Sequence, residues 1–305
     1  MFFFRRPQTF SSFGGLWIDR KDGPSVLARR RKRGSFSSEV ANLVETFMRE
    51  GRTIIRQAVP KETTSKIRVE LLDYWNNPPE GAIVENWTTE GKQQFVAPDV
   101  QLRNGTTKVL DFHAFSPTAR KAIANPKTVE FLSAIFDAKP KAFQSLVFWT
   151  GSQQAIHKDT AYVKVAKEPM HLVATWLALE DVKAGAGALE YYLGSHRTPD
   201  FLFGGKFKWM EQAPEDHDRF LKSLHDDAKT HGFRKEEFVP KEGDVLIWHG
   251  ELAHGGSAIT DPTLTRKSLV THFTSEKNDP LYNQRLKRKP VEENGCVFIA
   301  ERKQI

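Results

Sequence analysis

The sequence predicts an α+β fold with a mainly β core, its strands closing as a barrel or jelly roll. Two observations carry this. Residues 37–136 show helical periodicity, whereas short β-branched and aromatic runs separated by Gly, Pro and polar turns dominate beyond Lys141. No run reaches the ~18 consecutive apolar residues of a membrane span. The hydrophobic fraction of 39% exceeds what a disordered chain carries.

In chain order, residues 1–36 read as an arm. It opens Met1-Phe2-Phe3-Phe4-Arg5-Arg6-Pro7 and continues with Phe10, Phe13 and Trp17, then an arginine run from Arg29 to Arg33. Val40, Leu43, Val44, Phe47 and Met48 recur at helical spacing, with Ser37 or Ser38 as N-cap and Gly51 as stop. Thr53–Val59 predicts a short strand. Pro60 opens a second helix with Ile67, Leu71 and Tyr74 on one face. Asn125-Pro126 places a cap and a proline at the first turn of a third, with Val129, Leu132, Ile135 and Phe136 inward. Strands are predicted at Ala142–Thr150, His171–Val182, Ala188–Tyr192, Asp244–Trp248 and Lys267–Thr274. Residues 198–240 carry 16 charged side chains yet also seven of the large aromatics, the mark of a lid, a binding loop or a peripheral helical insertion.

Charge is unevenly placed. Residues 1–38 hold nine Lys/Arg against Asp19 and Asp22, which accounts for the whole net charge of +7. The rest of the chain is balanced, which counts against a nucleic-acid-binding face. An aromatic and basic arm could touch an anionic membrane surface, or pack its rings on the body and solvate its arginines. If it is only an address or anchor, trimming residues 1–33 leaves turnover intact. The single cysteine, Cys296, excludes an internal disulfide and fits a reducing compartment. The arm lacks a secretory apolar core. A cytoplasmic location is expected.

Ten histidines compete for any site. Two His-x-Asp triplets occur, His157-Lys158-Asp159 and His225-Asp226-Asp227. On extended backbone, residues two apart share a face and can offer imidazole and carboxylate to one metal. On a helix they diverge by about 200°. His225 sits in a helical context, so His157 and Asp159 are favoured. A third ligand is expected from the strand and glycine turn Gly243–Ser257, at His254 before the double glycine. Two histidines and one carboxylate leave three positions open on a metal, the arrangement of non-haem Fe(II) oxygenases. Arg266, twelve residues later, can grip a dicarboxylate bidentately.

Further motifs carry a resemblance. Leu172–Val182, then Gly185-Ala-Gly-Ala-Leu-Glu190, then Leu193-Gly-Ser-His-Arg197 resemble the phytanoyl-CoA dioxygenase family, and Arg49–Arg56 looks like its opening strand. The pattern spans about Gly51 to Thr274. The resemblance implies a double-stranded β-helix (a cupin-like jelly roll) with the N-terminal helices packed on it, using Fe(II), 2-oxoglutarate and O2. Carried over by position, His157, Asp159 and His254 are the iron ligands, Arg266 holds the distal carboxylate of 2-oxoglutarate, and Trp176 lies near that co-substrate. The family's serine two residues after the distal histidine falls here on Gly256, with Ser257 one later, as if one residue were inserted beside His254. His249 is the alternative ligand. Asp159 fills the position that related halogenases leave for halide, which favours hydroxylation of a C–H bond with release of succinate and CO2.

The expected layout is an arm at 1–36, one jelly-roll oxygenase domain at 37–275 with an insertion at about 198–240, and an extension at 276–305. The expected substrate is a small molecule, or a group linked to a carrier or lipid. Lys206, Lys208, Trp209 and the basic residues from Arg285 to Lys289 leave room for an anionic one. The competing reading is a non-catalytic metal-binding jelly roll with a binding or regulatory role.

Overall fold

The structure is a computed structural model that describes residues 8–87, 92–103, 107–281, 285–287 and 289–303. The Met1–Pro7 opening and Arg288 of the basic cluster therefore lie outside the described residues. The first helix, α1 (Gly23–Lys32), lies within the arm, with Pro24 in its first turn and four basic residues in its last, where they favour the helix dipole. In α2 (Ser38–Glu50) the Ser37 side chain accepts from Val40 N at 3.2 Å, and Gly51 closes the helix at φ 77°. Next come α3 (Lys61–Asn76), α4 (Pro117–Ile123), α5 (Pro126–Phe136) and, far downstream, α6 (His217–His231). Asn125 caps α5 as its spacing predicts. No helix among the described residues is long and apolar enough to cross a membrane.

The strands are β1 (Arg52–Ile55), β2 (Val84–Trp87), β3 (Gln93–Val96), β4 (Lys108–Leu110), β5 (Pro140–Phe148), β6 (Val173–Ala178), β7 (Leu189–Tyr192), β8 (Lys235–Phe238), β9 (Val245–His249), β10 (His254–Gly256), β11 (Ser268–Ser275), β12 (Arg285–Lys287), β13 (Val291–Glu293), β14 (Cys296–Phe298) and β15 (Glu301–Lys303). The major sheet runs β1-β9-β6-β11-β5-β4-β2-β3, and the minor sheet β10-β7-β8. Together they form a jelly roll. Alternation sorts each strand. On β6 and β9, Val173, Leu177, Val245 and Ile247 join the core under the helices. Ala174, Trp176, Leu246 and Trp248 meet Leu189, Tyr191 and Phe238 of the minor sheet in a second core.

Two expectations are corrected. The strand expected at Thr53–Val59 stops at Ile55, because Gln57 takes a left-handed φ of 48°. The insertion ends before Lys235, since β8 pairs with β7 and so belongs to the minor sheet. Of the two readings of the arm, the structure shows packing on the body: Leu16, Trp17, Ile18 and Leu27 are buried in the main core, and Trp17 Nε1 donates to Ala134 O at 2.8 Å. Farther up the arm, Ser11 and Ser12 donate to the Asp200 carboxylate of the insertion.

Candidate metal centre

β5 leads into a loop whose end is pinned by backbone pairing. His157 N donates to His254 O at 2.8 Å and His254 N returns to His157 O at 2.9 Å. The two residues are thus opposite each other in register, with ring centroids 4.5 Å apart. The approach needs glycine: a Cβ on Gly255 would meet Gln154 O at 2.7 Å, and one on Gly256 would meet Ser152 Oγ at 2.7 Å. Asp159 opens a short 3₁₀ turn beside them.

Hydrogen bonding fixes both tautomers. Nδ1 of His157 lies 2.8 Å from Ala155 O, and Nδ1 of His254 lies 2.9 Å from Leu252 O. A carbonyl only accepts, so each Nδ1 carries the proton and each Nε2 presents a lone pair. Both Nε2 atoms stand 3.6 Å from Asp159 Oδ1. The ligand atoms of the three residues lie within 4.8 Å of one another, and all three are buried. Burial pushes His254 down to about 4, keeping it neutral at neutral pH despite the nearby Asp159 charge. The Asp159 carboxyl lies well below the usual carboxylate range although burial alone would raise it, and the Trp248 indole N–H that donates to Oδ2 favours its charged form. A dry cluster with one fixed anion and two lone pairs has the donor set for a divalent metal.

The cluster forms one wall of a cavity of about 60 Å³. Arg266 stands on another, 2% exposed. Its Nη1 donates to Gly187 O at 2.8 Å, and its guanidinium lies between the Phe148 and Trp176 rings. Its Nε has no partner, and among the described residues no carboxylate pairs with it. Burial pushes it down to about 10. A buried cation without a counter-ion is costly.

His157, Asp159, His254, Arg266 and Trp176 all line this cavity. Ser257 does not. Its N–H is spent on Ala188 O, it is only half-buried, and the hydroxyl on the cavity wall belongs to Ser152. His249 is committed elsewhere: its Nε2 faces Asp19 Oδ2 at 3.2 Å, and its Nδ1 accepts from Glu251 N. His225 lies on α6 and pairs with Tyr192. Thr160, the neighbour of Asp159, turns away from the cavity to Glu251. Tyr162 packs edge-on to His157 and reaches His217 at 2.8 Å. Sequence reasoning missed Gln154, whose amide stands 3.3 Å from His157 Nε2, and it missed the roles of Trp248 and His272. Trp248 Nε1 donates to Asp159 Oδ2 at 2.8 Å, and His272 Nε2 lies 3.4 Å from the same oxygen. The available signal was the strand alternation of Arg266, Val270 and His272.

Fold and site together define a jelly-roll protein with a buried metal centre of two histidines and one carboxylate. The model of the phytanoyl-CoA dioxygenase (PhyH) family matches residues 47–268. The chain belongs to that family, whose members are non-haem iron, 2-oxoglutarate-dependent enzymes. It is 25% identical over 202 residues to phytanoyl-CoA dioxygenase domain-containing protein 1 of Danio rerio, covering 64% of this chain and 65% of that one. The Mus musculus protein of the same name is 25% identical over 178 residues, with 56% and 57% covered. The chain thus spans less than two thirds of the length of the curated relatives it matches. Among solved structures, the non-heme alpha ketoglutarate dependent carbocyclase SnoK from nogalamycin biosynthesis superposes with a TM-score of 0.59 at 15% identity, covering 92% of this chain and 90% of that one. EctD from S. alaskensis with 2-oxoglutarate and 5-hydroxyectoine gives 0.57 at 17% identity, with 83% and 79% covered. These two likenesses show the fold.

Proposed function

We propose that the chain is an Fe(II)- and 2-oxoglutarate-dependent dioxygenase that hydroxylates an unactivated C–H bond of a small-molecule or carrier- or lipid-linked substrate, releasing succinate and CO2. The observation that carries this is the pairing, across one small cavity, of the His157, Asp159 and His254 cluster with the unpaired, buried guanidinium of Arg266. The iron would be held by His157 Nε2, His254 Nε2 and Asp159, and when bound it supplies the redox chemistry that activates O2. Everything else falls to the protein. Arg266 offers its fork to the distal carboxylate of the co-substrate, and Trp176 and Phe148 flank that guanidinium. Leu146, Leu189 and Val270 keep the walls dry. Asp159 fills the carboxylate position, which supports hydroxylation over halogenation.

Anaerobic addition of Fe(II) and 2-oxoglutarate tests the reading through the visible metal-to-oxoglutarate charge-transfer band. The wild type is expected to show it. Asp159→Ala is expected to abolish it, and Arg266→Ala to require at least tenfold more 2-oxoglutarate. Folded wild-type protein without a band would transfer the lead to the non-catalytic metal-binding module.

A further inference from the structure

Asp159 has two oxygens with different neighbours. Oδ1 faces the two histidine Nε2 atoms at 3.6 Å each. Oδ2 faces away from them, taking the Trp248 indole N–H at 2.8 Å and standing 3.4 Å from His272 Nε2. His272 is itself unusual. It is 4% exposed, lines the cavity, and neither ring nitrogen makes a hydrogen bond of sound geometry among the described residues. A buried polar group left this way costs on the order of 1–3 kcal/mol, so packing alone is a poor reason for a histidine here. The strand places it deliberately. β11 pairs His272 with Ala174 of β6 and Gln144 of β5, and the β5 register shifts immediately after, between His272 and Phe273. The extra residue at that shift is Phe143 on β5, while β11 keeps regular register with β6, so ordinary alternation puts Val270 and His272 on one face, lining the cavity with Arg266.

We infer that His272 is a positioning residue that, with Trp248, engages Asp159 Oδ2 so that only Oδ1 is left to the metal. The inference rests on the metal-centre reading above. Its consequence is a count of open positions. In six-fold coordination, two histidines and a one-oxygen carboxylate leave three, while a carboxylate binding through both oxygens leaves two. The Nε2–H form of His272 donates to Oδ2, as the Trp248 indole does, and a partner of this type typically alters metal affinity 10–100-fold when removed.

The test is a Co(II) titration of the full chain read by its visible d–d absorption, with unfolding midpoints of the metal-free proteins alongside. His272→Phe is expected to weaken Co(II) binding by about 10–100-fold and to change the band shape. His272→Gln, which returns an N–H donor near the Nε2 position, is expected to restore the wild-type band. Trp248→Phe is expected to show the same band change as His272→Phe, and carries the test with His272→Gln should His272→Phe fail to fold. A His272→Phe protein with wild-type affinity and spectrum overturns the inference. So does a His272→Gln protein whose band differs from the wild type. Wild-type protein that binds no Co(II) overturns the metal-centre reading as well, which separates the two failures.

Discussion

Glu251 holds a carboxylate at 2% exposure, between Lys208 Nζ at 2.7 Å and Lys158 Nζ at 3.2 Å. Thr160 donates to it as well, and the neighbouring lysines hold its carboxyl below the ordinary range although burial alone would raise it. Lys158 and Thr160 flank Asp159 in sequence, so the residues on either side of the metal carboxylate point into a buried ionic cluster while Asp159 points into the cavity. Lys208 extends the cluster to Asp200, at 3.2 Å. Replacing Glu251 with Gln leaves the buried Lys158 ammonium with no carboxylate, only the Thr198 hydroxyl and the new amide, while Lys208 keeps Asp200. Breaking a buried pair in this way costs about 3–5 kcal/mol, so urea denaturation of Glu251→Gln is expected to give a loss of that order. A loss under about 1 kcal/mol would mean that the cluster is hydrated and uncoupled.

Among the elements, the arm packs its rings on the body and leaves most of its arginine run exposed, one of the two readings its composition allowed; Asp22-Gly23-Pro24 carries a helix-start signal, and Leu16, Trp17 and Ile18 are core residues. Burying such side chains contributes ~1.5–3 kcal/mol each. Deleting residues 1–33 is therefore expected to lower the unfolding midpoint sharply or give insoluble protein; a deletion variant with the full-length midpoint would refute the packing described. The site was more legible. His157, Asp159, His254 and Arg266 stand at spacings that only a strand and a glycine turn can bring together, and each of those elements has a local signature. Ser257 was misplaced because an offset of one residue flips a side chain to the other face. His272 escaped the sequence reading although it stands two residues from Val270 and six from Arg266, an even spacing that extended backbone turns into one face. Strands β2 and β3 escaped notice because Val84–Trp87 and Gln93–Val96 are four residues each and largely polar, with β3 at the sheet edge and Val84 the one fully buried side chain between them.

At the scale of the whole molecule, buried histidines make metal-free stability depend on pH in an uncommon window. Burial depresses His196 to about 3 and His254 to about 4, against an ordinary value near 6.5. Between pH 4 and 6.5 the unfolded chain binds protons that the folded one refuses, so stability is complete above about 6.5 and falls as pH is lowered. The size is on the order of 3 kcal/mol per histidine. Aspartates and glutamates with depressed values add their losses only below their own unfolded range near 4. The urea midpoint of metal-free protein is expected to drop between pH 7 and 5, and a flat midpoint there would show that these imidazoles are reached by water.

The contact between Asp19 and His249 joins positions 230 residues apart. During translation at ~5–20 residues per second, Asp19 leaves the ribosome roughly ten to fifty seconds before its partner exists. Trp17, two residues away, finds Ala134 117 residues on, so the same segment makes one contact early and the Asp19 contact, which braces the strand bearing Trp248, only late. His254, the last of the three candidate ligands along the chain, follows Trp248, so the candidate metal centre has its full donor set only after about five sixths of the chain has been made.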